Sequence, residues 1–127
     1  MREWLYNKLI TLTGFEDLVF ENTSLDTVPD TKPFIVYSIG NRVTEIEDGD
    51  APIAQNSVAN IWVHDNRGTY TAIDATLKDI RALLSNLSEV GIIAARFINE
   101  SDDLRDPEMN TICRFARYQL VHLAEEA

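Results

Sequence analysis

Residues 59–87 read ANIWVHDNRGTYTAIDATLKDIRALLSNL and combine the clearest strand and the clearest helix of the chain. The first positions are rich in β-branched and aromatic residues, which favours a strand over 57–64. A turn follows over 65–68, where Asp and Asn hydrogen-bond nearby backbone and glycine accepts a positive φ. From Thr69 to about Leu87 apolar residues recur every three or four positions, which predicts a helix with one apolar face. Its polar face is of mixed charge, so we predict a core-facing helix rather than a membrane-bound one.

The remaining segments extend this pattern along the whole chain. We predict a helix over 2–12 and strands over 34–39, 92–98 and 111–123. The 127 residues are predicted to form one domain, 1–127, with 124–127 as a frayed tail. The element order α-β-β-α-β-β predicts an α+β fold, a mostly antiparallel four-stranded sheet with both helices on one face.

The last predicted strand is apolar on both of its faces. Alternate positions place Ile112, Ala116, Tyr118 and Leu120 on one side and Cys113, Phe115, Val121 and Leu123 on the other. Small monomers rarely expose that much apolar sheet to water. We therefore expect another chain to cover the second face or a long edge strand.

The charge of the chain argues against nucleic-acid binding. Eleven basic and 21 acidic residues give a formal net charge of −10, whereas nucleic-acid binders present a basic surface to phosphates. The acids concentrate in two segments, 44–56 and 99–110, which we predict to be loops. The simplest interpretation of either segment is a solvated loop.

The residues that carry chemistry form no recognised motif. The only cysteine, Cys113, lies among apolar strand residues and is predicted to be a buried hydrophobe. His64 and His122 lack the spacing of metal ligands, and there is no phosphate-binding glycine loop. We therefore predict no catalytic residue, no metal and no cofactor. The N-terminus lacks a secretory pattern and no apolar run could span a bilayer, which predicts a soluble, cytoplasmic product.

Several stretches resemble a known family. The most specific is Ile61 to Asp74, IWVHDNRGTYTAID; supporting stretches are MREWLY at 1–6, KPFIVY at 32–37, SDDLRD at 101–106 and NTICRF at 110–115. Together they are similar to the tail terminator proteins of long non-contractile-tailed bacteriophages. That family lacks a catalytic motif, so the resemblance implies no active-site residues.

The resemblance implies a structural virion protein that forms a hexameric ring, caps the tail tube, stops its polymerisation and joins the tail to the head-closure proteins. The implied partners are further copies of this chain, the tail tube protein and a head-closure or stopper protein. DNA would pass through the lumen without specific binding, and no membrane is involved. The implied location is the head-proximal end of the virion tail, after assembly in the host cytoplasm. Two alternatives stay open: another tail-tube or head-tail connector component, and a small enzyme or ligand-binding domain.

Charged residues on the predicted strands and acidic loops are the candidates for subunit or tube contacts. Arginine keeps its charge when buried and binds a carboxylate through two parallel hydrogen bonds, although any one arginine can also extend to solvent. The acids would either repel DNA in the lumen or dock basic surfaces of neighbouring proteins. The candidates are Arg42, Glu45, Glu47, Asp48, Asp50, Arg96, Asp102, Asp103, Arg105, Asp106, Arg114 and Arg117.

Overall fold

The computed structural model describes residues 2–21, 33–40, 45–48, 51–66, 68–85, 92–107 and 110–123. Residues 124–127, predicted as a frayed tail, lie outside them. These ranges contain two helices, α1 (Arg2–Leu9) and α2 (Thr71–Ser85). They also contain the strands β1 (Val19–Glu21), β2 (Phe34–Ile39), β3 (Glu45–Asp48), β4 (Ala51–Asp65), β5 (Ile92–Glu100), β6 (Leu104–Asp106) and β7 (Thr111–Leu123).

The predicted fold class is wrong in the number, the direction and the order of its strands. The described residues form one seven-stranded sheet in the order β1-β2-β4-β7-β5, with β3 also paired to β4 and β6 to β7. The sheet is mixed because β1 runs parallel to β2, whereas the other pairs are antiparallel. The element order is α-β-β-β-β-α-β-β-β rather than α-β-β-α-β-β.

The three strands that the prediction missed are short. β1 and β6 have three residues each and β3 has four, which is too few to show an alternating pattern. β3 and β6 also lie in the two acidic segments that were predicted to be loops. Their backbone groups nevertheless pair with the long strands β4 and β7. Strand pairing uses hydrogen bonds between main-chain atoms, so acidic side chains do not prevent it.

The centre of the sheet is the antiparallel pair formed by β4 and β7. Its register runs from Ala54 opposite Leu123 to Asp65 opposite Ile112. β2 lies on the other side of β4, with Phe34 opposite His64. The predicted strand over 57–64 is therefore part of a longer strand that begins at Ala51.

The core lies on one face of the sheet and receives side chains from both helices. α2 buries Ile73, Leu77, Ile80 and Leu84, four of the residues that the helical spacing predicted. α1 contributes Leu5 and Leu9 to the same cluster, and the sheet contributes Ile35, Tyr37, Ala59, Ile61, Val63, Ile112, Ala116, Tyr118 and Leu120. The prediction that Ile112, Ala116, Tyr118 and Leu120 share a face is confirmed.

The other face, which we call the second face, receives no side chain from α1 or α2 in the core cluster. Residues directly opposite each other on β2, β4 and β7 share a face, so the register defines three rows there. Neighbouring rows are about 7 Å apart, two residues along a strand. The first row is Phe34, His64 and Cys113, the second is Val36, Trp62 and Phe115, and the third is Ser38, Asn60 and Arg117.

Candidate protein interaction site

A recess of about 470 Å³ opens on the second face. Side chains of all three rows line it, together with Asp106 of β6, which lies opposite Thr111. The lining residues are Val36, Ser38, Asn60, Trp62, His64, Asp106, Phe115 and Arg117. The recess thus has an aromatic middle, an arginine at one end and an imidazole with a carboxylate at the other.

The middle of the recess is a contact between Trp62 and Phe115. Their ring centroids are 4.6 Å apart and the rings are tilted by 47°. Both rings are half-buried, so part of each aromatic surface stays accessible at the recess. Large aromatic side chains with an exposed surface are typical anchors of protein interfaces, because they bury much area at little conformational cost.

Arg117 forms the third-row end of the recess. Its Nε donates a hydrogen bond to Asn60 Oδ1 at 2.9 Å, and its Cζ lies 5.6 Å from the centroid of Phe115. These contacts fix the plane of the guanidinium group. Within the described residues no carboxylate pairs with it. Its two terminal nitrogens therefore remain available as donors.

The first-row end of the recess is held by a buried histidine. His64 Nδ1 and Thr111 Oγ1 share a hydrogen bond of 2.9 Å. The His64 ring stacks on the Phe34 ring, with 5.0 Å between the ring centroids. Burial lowers the pKa of His64, and the nearby carboxylate of Asp106 opposes this effect. His64 is therefore held neutral, in a position set by its neighbours.

Cys113 lies opposite His64 in the first row, next to the end of the recess that His64 and Asp106 line, and cysteine nucleophiles use this combination of residue types. A nucleophilic cysteine needs a lowered pKa and an accessible sulfur. Here burial, with Asp106 as the second cause, raises the pKa of Cys113 to about 11, and the residue is only 2% exposed. The prediction that Cys113 is a buried hydrophobe is confirmed, and the arrangement offers no thiolate for catalysis.

The lowered pKa of His64 predicts a loss of stability in mild acid. Below the ordinary value of 6.5 the unfolded chain takes up a proton that the folded chain resists, so the free energy of unfolding falls as the pH falls from 6.5 toward the folded pKa. The slope from this one group is at most about 1.4 kcal/mol per pH unit. Urea denaturation at several pH values between 7.5 and 5 measures it.

The matched control is His64→Gln, which keeps a polar partner for Thr111 but does not titrate. Its free energy of unfolding should depend less on pH over the same range. Equal slopes for the wild type and His64→Gln would show that other groups cause the dependence.

Comparison with solved structures adds a fold relative. A structure of the virion of a native gene transfer agent particle contains a chain that superposes on this one with a TM-score of 0.70. The fold is that of a virion chain. The match covers 94% of this chain and 92% of the other, at 12% sequence identity, and at that identity it shows the fold alone. No protein-family model and no curated protein matches the sequence.

Among the predicted contact residues, Asp106 and Arg117 lie at the recess that this virion-like fold presents. Arg114 is on the opposite face, and its guanidinium group binds residues of its own chain. Its Nη1 donates to Asp74 Oδ1 at 2.5 Å, which is the main cause of the raised pKa of Arg114. Its Nε and Nη2 both donate to the carbonyl oxygen of Ser101, at 3.1 and 3.0 Å. Arg114 therefore ties α2 to the turn after β5.

Two further carboxylates surround Arg114. Glu100 Oε2 is 3.3 Å from Nη2, and Asp103 Oδ1 is 3.7 Å from Nε. With Asp74 they place three acids around one arginine. Because Asp103 is 63% exposed, its pair with Arg114 is weak and screened by water.

None of the other described candidates lines the recess. Arg96, Asp102 and Arg105 are exposed, on β5, in the turn after it and on β6. Glu45, Glu47 and Asp48 lie on β3. Arg42 and Asp50 lie outside the described residues.

Sequence reasoning missed most of the recess. It treated Trp62 and His64 as strand residues without noticing that Val36, Phe115 and Arg117 lie beside them. The missing information was the register, which decides which residues of distant strands share a row. The apolar alternation of β7 was the available signal, because it marked Phe115 as part of a second apolar face.

No group of three or more metal-binding side chains occurs in the part of the chain that the structure describes. Within the same residues, neither helix is long and apolar enough to cross a membrane.

Proposed function

We propose that this chain is a structural virion protein, and more specifically a tail terminator. In this proposal six copies form a ring at the head-proximal end of the tail, cap the tail tube, stop its polymerisation and bind the head-closure or stopper protein. The observation that carries the proposal is the likeness in fold to a chain of a gene transfer agent virion, which extends over 94% of this chain.

Three further observations favour an assembly protein over an enzyme. The stretch from Ile61 to Asp74, whose sequence resembles tail terminators, contributes Ile61 and Val63 to the core and Trp62 and His64 to the recess. The recess itself is open and has aromatic rings at its middle, which suits a protein partner. The single cysteine of the chain, Cys113, is buried and has a raised pKa.

The acid excess has a physical role in such a ring. Six copies at −10 each give a formal charge of −60. A ring of that charge repels DNA passing through its lumen, so the DNA would move through without specific binding. The same charge would attract basic surfaces of the tube or the head-closure protein and speed their docking.

A second candidate function is another component of the tail tube or of the head-tail connector. The same likeness in fold supports it, because the name of the related particle specifies a virion and no position within it. A tube subunit would polymerise into long tubes, whereas a terminator would form closed rings and block growth.

The test is removal of the gene from the virus that encodes it, followed by negative-stain imaging of the particles. We expect tails of variable and excessive length that carry no heads, and wild-type protein supplied from a plasmid should restore uniform tails. A copy with Lys78→Glu, a change on the exposed side of α2, is the control for expression and should restore them equally. Tails of normal length, or none at all, would contradict the terminator proposal.

A further inference from the structure

We infer that the recess on the second face is the surface through which one copy of this chain binds a carboxylate of a second copy. This inference deepens the proposed ring, on which it rests, by naming the subunit contact and its chemistry. The aromatic middle, Trp62 and Phe115, would bury the apolar part of the contact. Arg117 would bind the carboxylate.

The availability of Arg117 is the first step of the argument. The hydrogen bond to Asn60 uses Nε and leaves both terminal nitrogens of the guanidinium group as donors. An arginine whose plane is already fixed loses little conformational freedom when a partner arrives. Since two parallel N–H groups match the two oxygens of a carboxylate, the best partner for this end of the recess is Asp or Glu.

The charge of the chain identifies the source of that carboxylate. Acidic residues outnumber basic residues by 21 to 11, so any neighbouring copy presents mostly acidic side chains. Arg114 illustrates the excess of acidic residues, because three carboxylates, those of Asp74, Glu100 and Asp103, surround this one arginine. Arg117 has no carboxylate partner among the described residues. Its positive charge is therefore complementary to the mostly acidic surface of a second copy.

The location of the recess agrees with this occupant. Both helices pack on the opposite face, so neither covers Trp62 and Phe115. The two subunits of a head-to-tail ring contact each other through different patches, and a recess with one arginine is suited to receive an acidic patch from elsewhere on the neighbour.

The experiment measures self-association of the purified full chain by sedimentation velocity over a wide concentration range. We expect the wild type to assemble and Arg117→Glu to weaken assembly by more than about tenfold, since it places a like charge opposite the incoming acid. Arg117→Lys should weaken it less, because it keeps the charge but loses the paired donors. Lys78→Glu makes the same change in net charge on the exposed side of α2 and should assemble as the wild type does.

A second variant tests the recess without changing its charge. Ser38 is half-buried in the third row, and Ser38→Trp should fill the recess and prevent assembly. Circular dichroism and urea denaturation identify variants that remain folded, and only those are compared.

A wild type that stays monomeric throughout would overturn the inference, as would folded Arg117→Glu protein that assembles normally. A recess variant that assembles normally but no longer binds the tube protein would also overturn it, because the recess would then be the binding site for the tube protein. The tail-length experiment separates this inference from the proposed function. Normal tails without the protein would reject the terminator role while leaving the self-contact intact, and overlong tails together with normal assembly of Arg117→Glu would reject only the contact.

Discussion

Replacing Leu77 by alanine is expected to lower the free energy of unfolding by about 3 kcal/mol, because the change leaves a cavity that the surrounding core fills only in part. Leu77 is 1% exposed and lies on α2, which packs on β4, β5 and β7. Urea denaturation measures the loss as a lower midpoint with an unchanged slope.

The matched control for this substitution is the next residue of the same helix. Lys78 is exposed, and Lys78→Ala should change the free energy of unfolding by less than about 0.5 kcal/mol. If the two substitutions cost the same, α2 would not pack on the sheet through the face described above.

Replacing Arg114 by alanine is expected to cost about 2 kcal/mol of folding free energy. Most of the loss should come from the two hydrogen bonds to the carbonyl oxygen of Ser101, since the exposed carboxylates of Asp74 and Asp103 contribute little in water. Without the guanidinium group the three acids around it would also repel one another. The turn after β5 would lose its link to α2 through Arg114, while the hydrogen bonds between Ser101 and Phe115 would still hold it to β7.

Two variants separate these contributions. Arg114→Lys keeps the positive charge but not the paired donors, so it should recover less than half of the loss. Arg105→Ala removes an exposed arginine from neighbouring β6 and should have almost no effect. A loss in Arg114→Ala that disappears in high salt would mean that charge attraction, rather than the contacts to Ser101, is the main contribution.

Long periodic segments of the fold were predictable from the sequence. The bounds of β2 and β7 agree with the predicted strands, and α2 differs from the prediction by about two residues at its N-terminal end. In α2 the apolar residues recur at helical spacing because one face of the helix meets the core. Such a helix can be predicted from its own sequence, because every turn repeats the same apolar spacing.

The short strands were not predictable because their pairing depends on distant residues. Val19 lies opposite Ile35 in a parallel pair, so its conformation is set by β2 rather than by its own neighbours. Glu45 and Glu47 look like loop residues, yet their backbone pairs with β4. An acidic composition predicts side chains that contact water, and it does not decide whether the backbone of the segment pairs with a neighbouring strand.

The sequence predicted that a second apolar face would bind a partner, but it did not predict which residues form the site. The apolar residues on both sides of β7 indicated a second face that a partner would cover, and Arg117 was a candidate contact. Its neighbours Asn60 and Ser38 gave no signal, because they are separated from Arg117 by 57 and 79 positions along the chain. Only the pairing of β7 with β4 and of β4 with β2 brings them together.

The central pairing of β4 with β7 also determines how quickly the chain can fold. It joins residues 54–65 to residues 112–123, so the middle of the sheet closes only after a long intervening segment has been brought into place. Contacts between residues so far apart in sequence carry a large loop-closure entropy, which slows folding. While the chain searches, β4 has unpaired backbone groups on one side over most of its length, and these can pair with another nascent copy. Efficient production of the protein therefore depends on low concentrations of unfolded chain during synthesis.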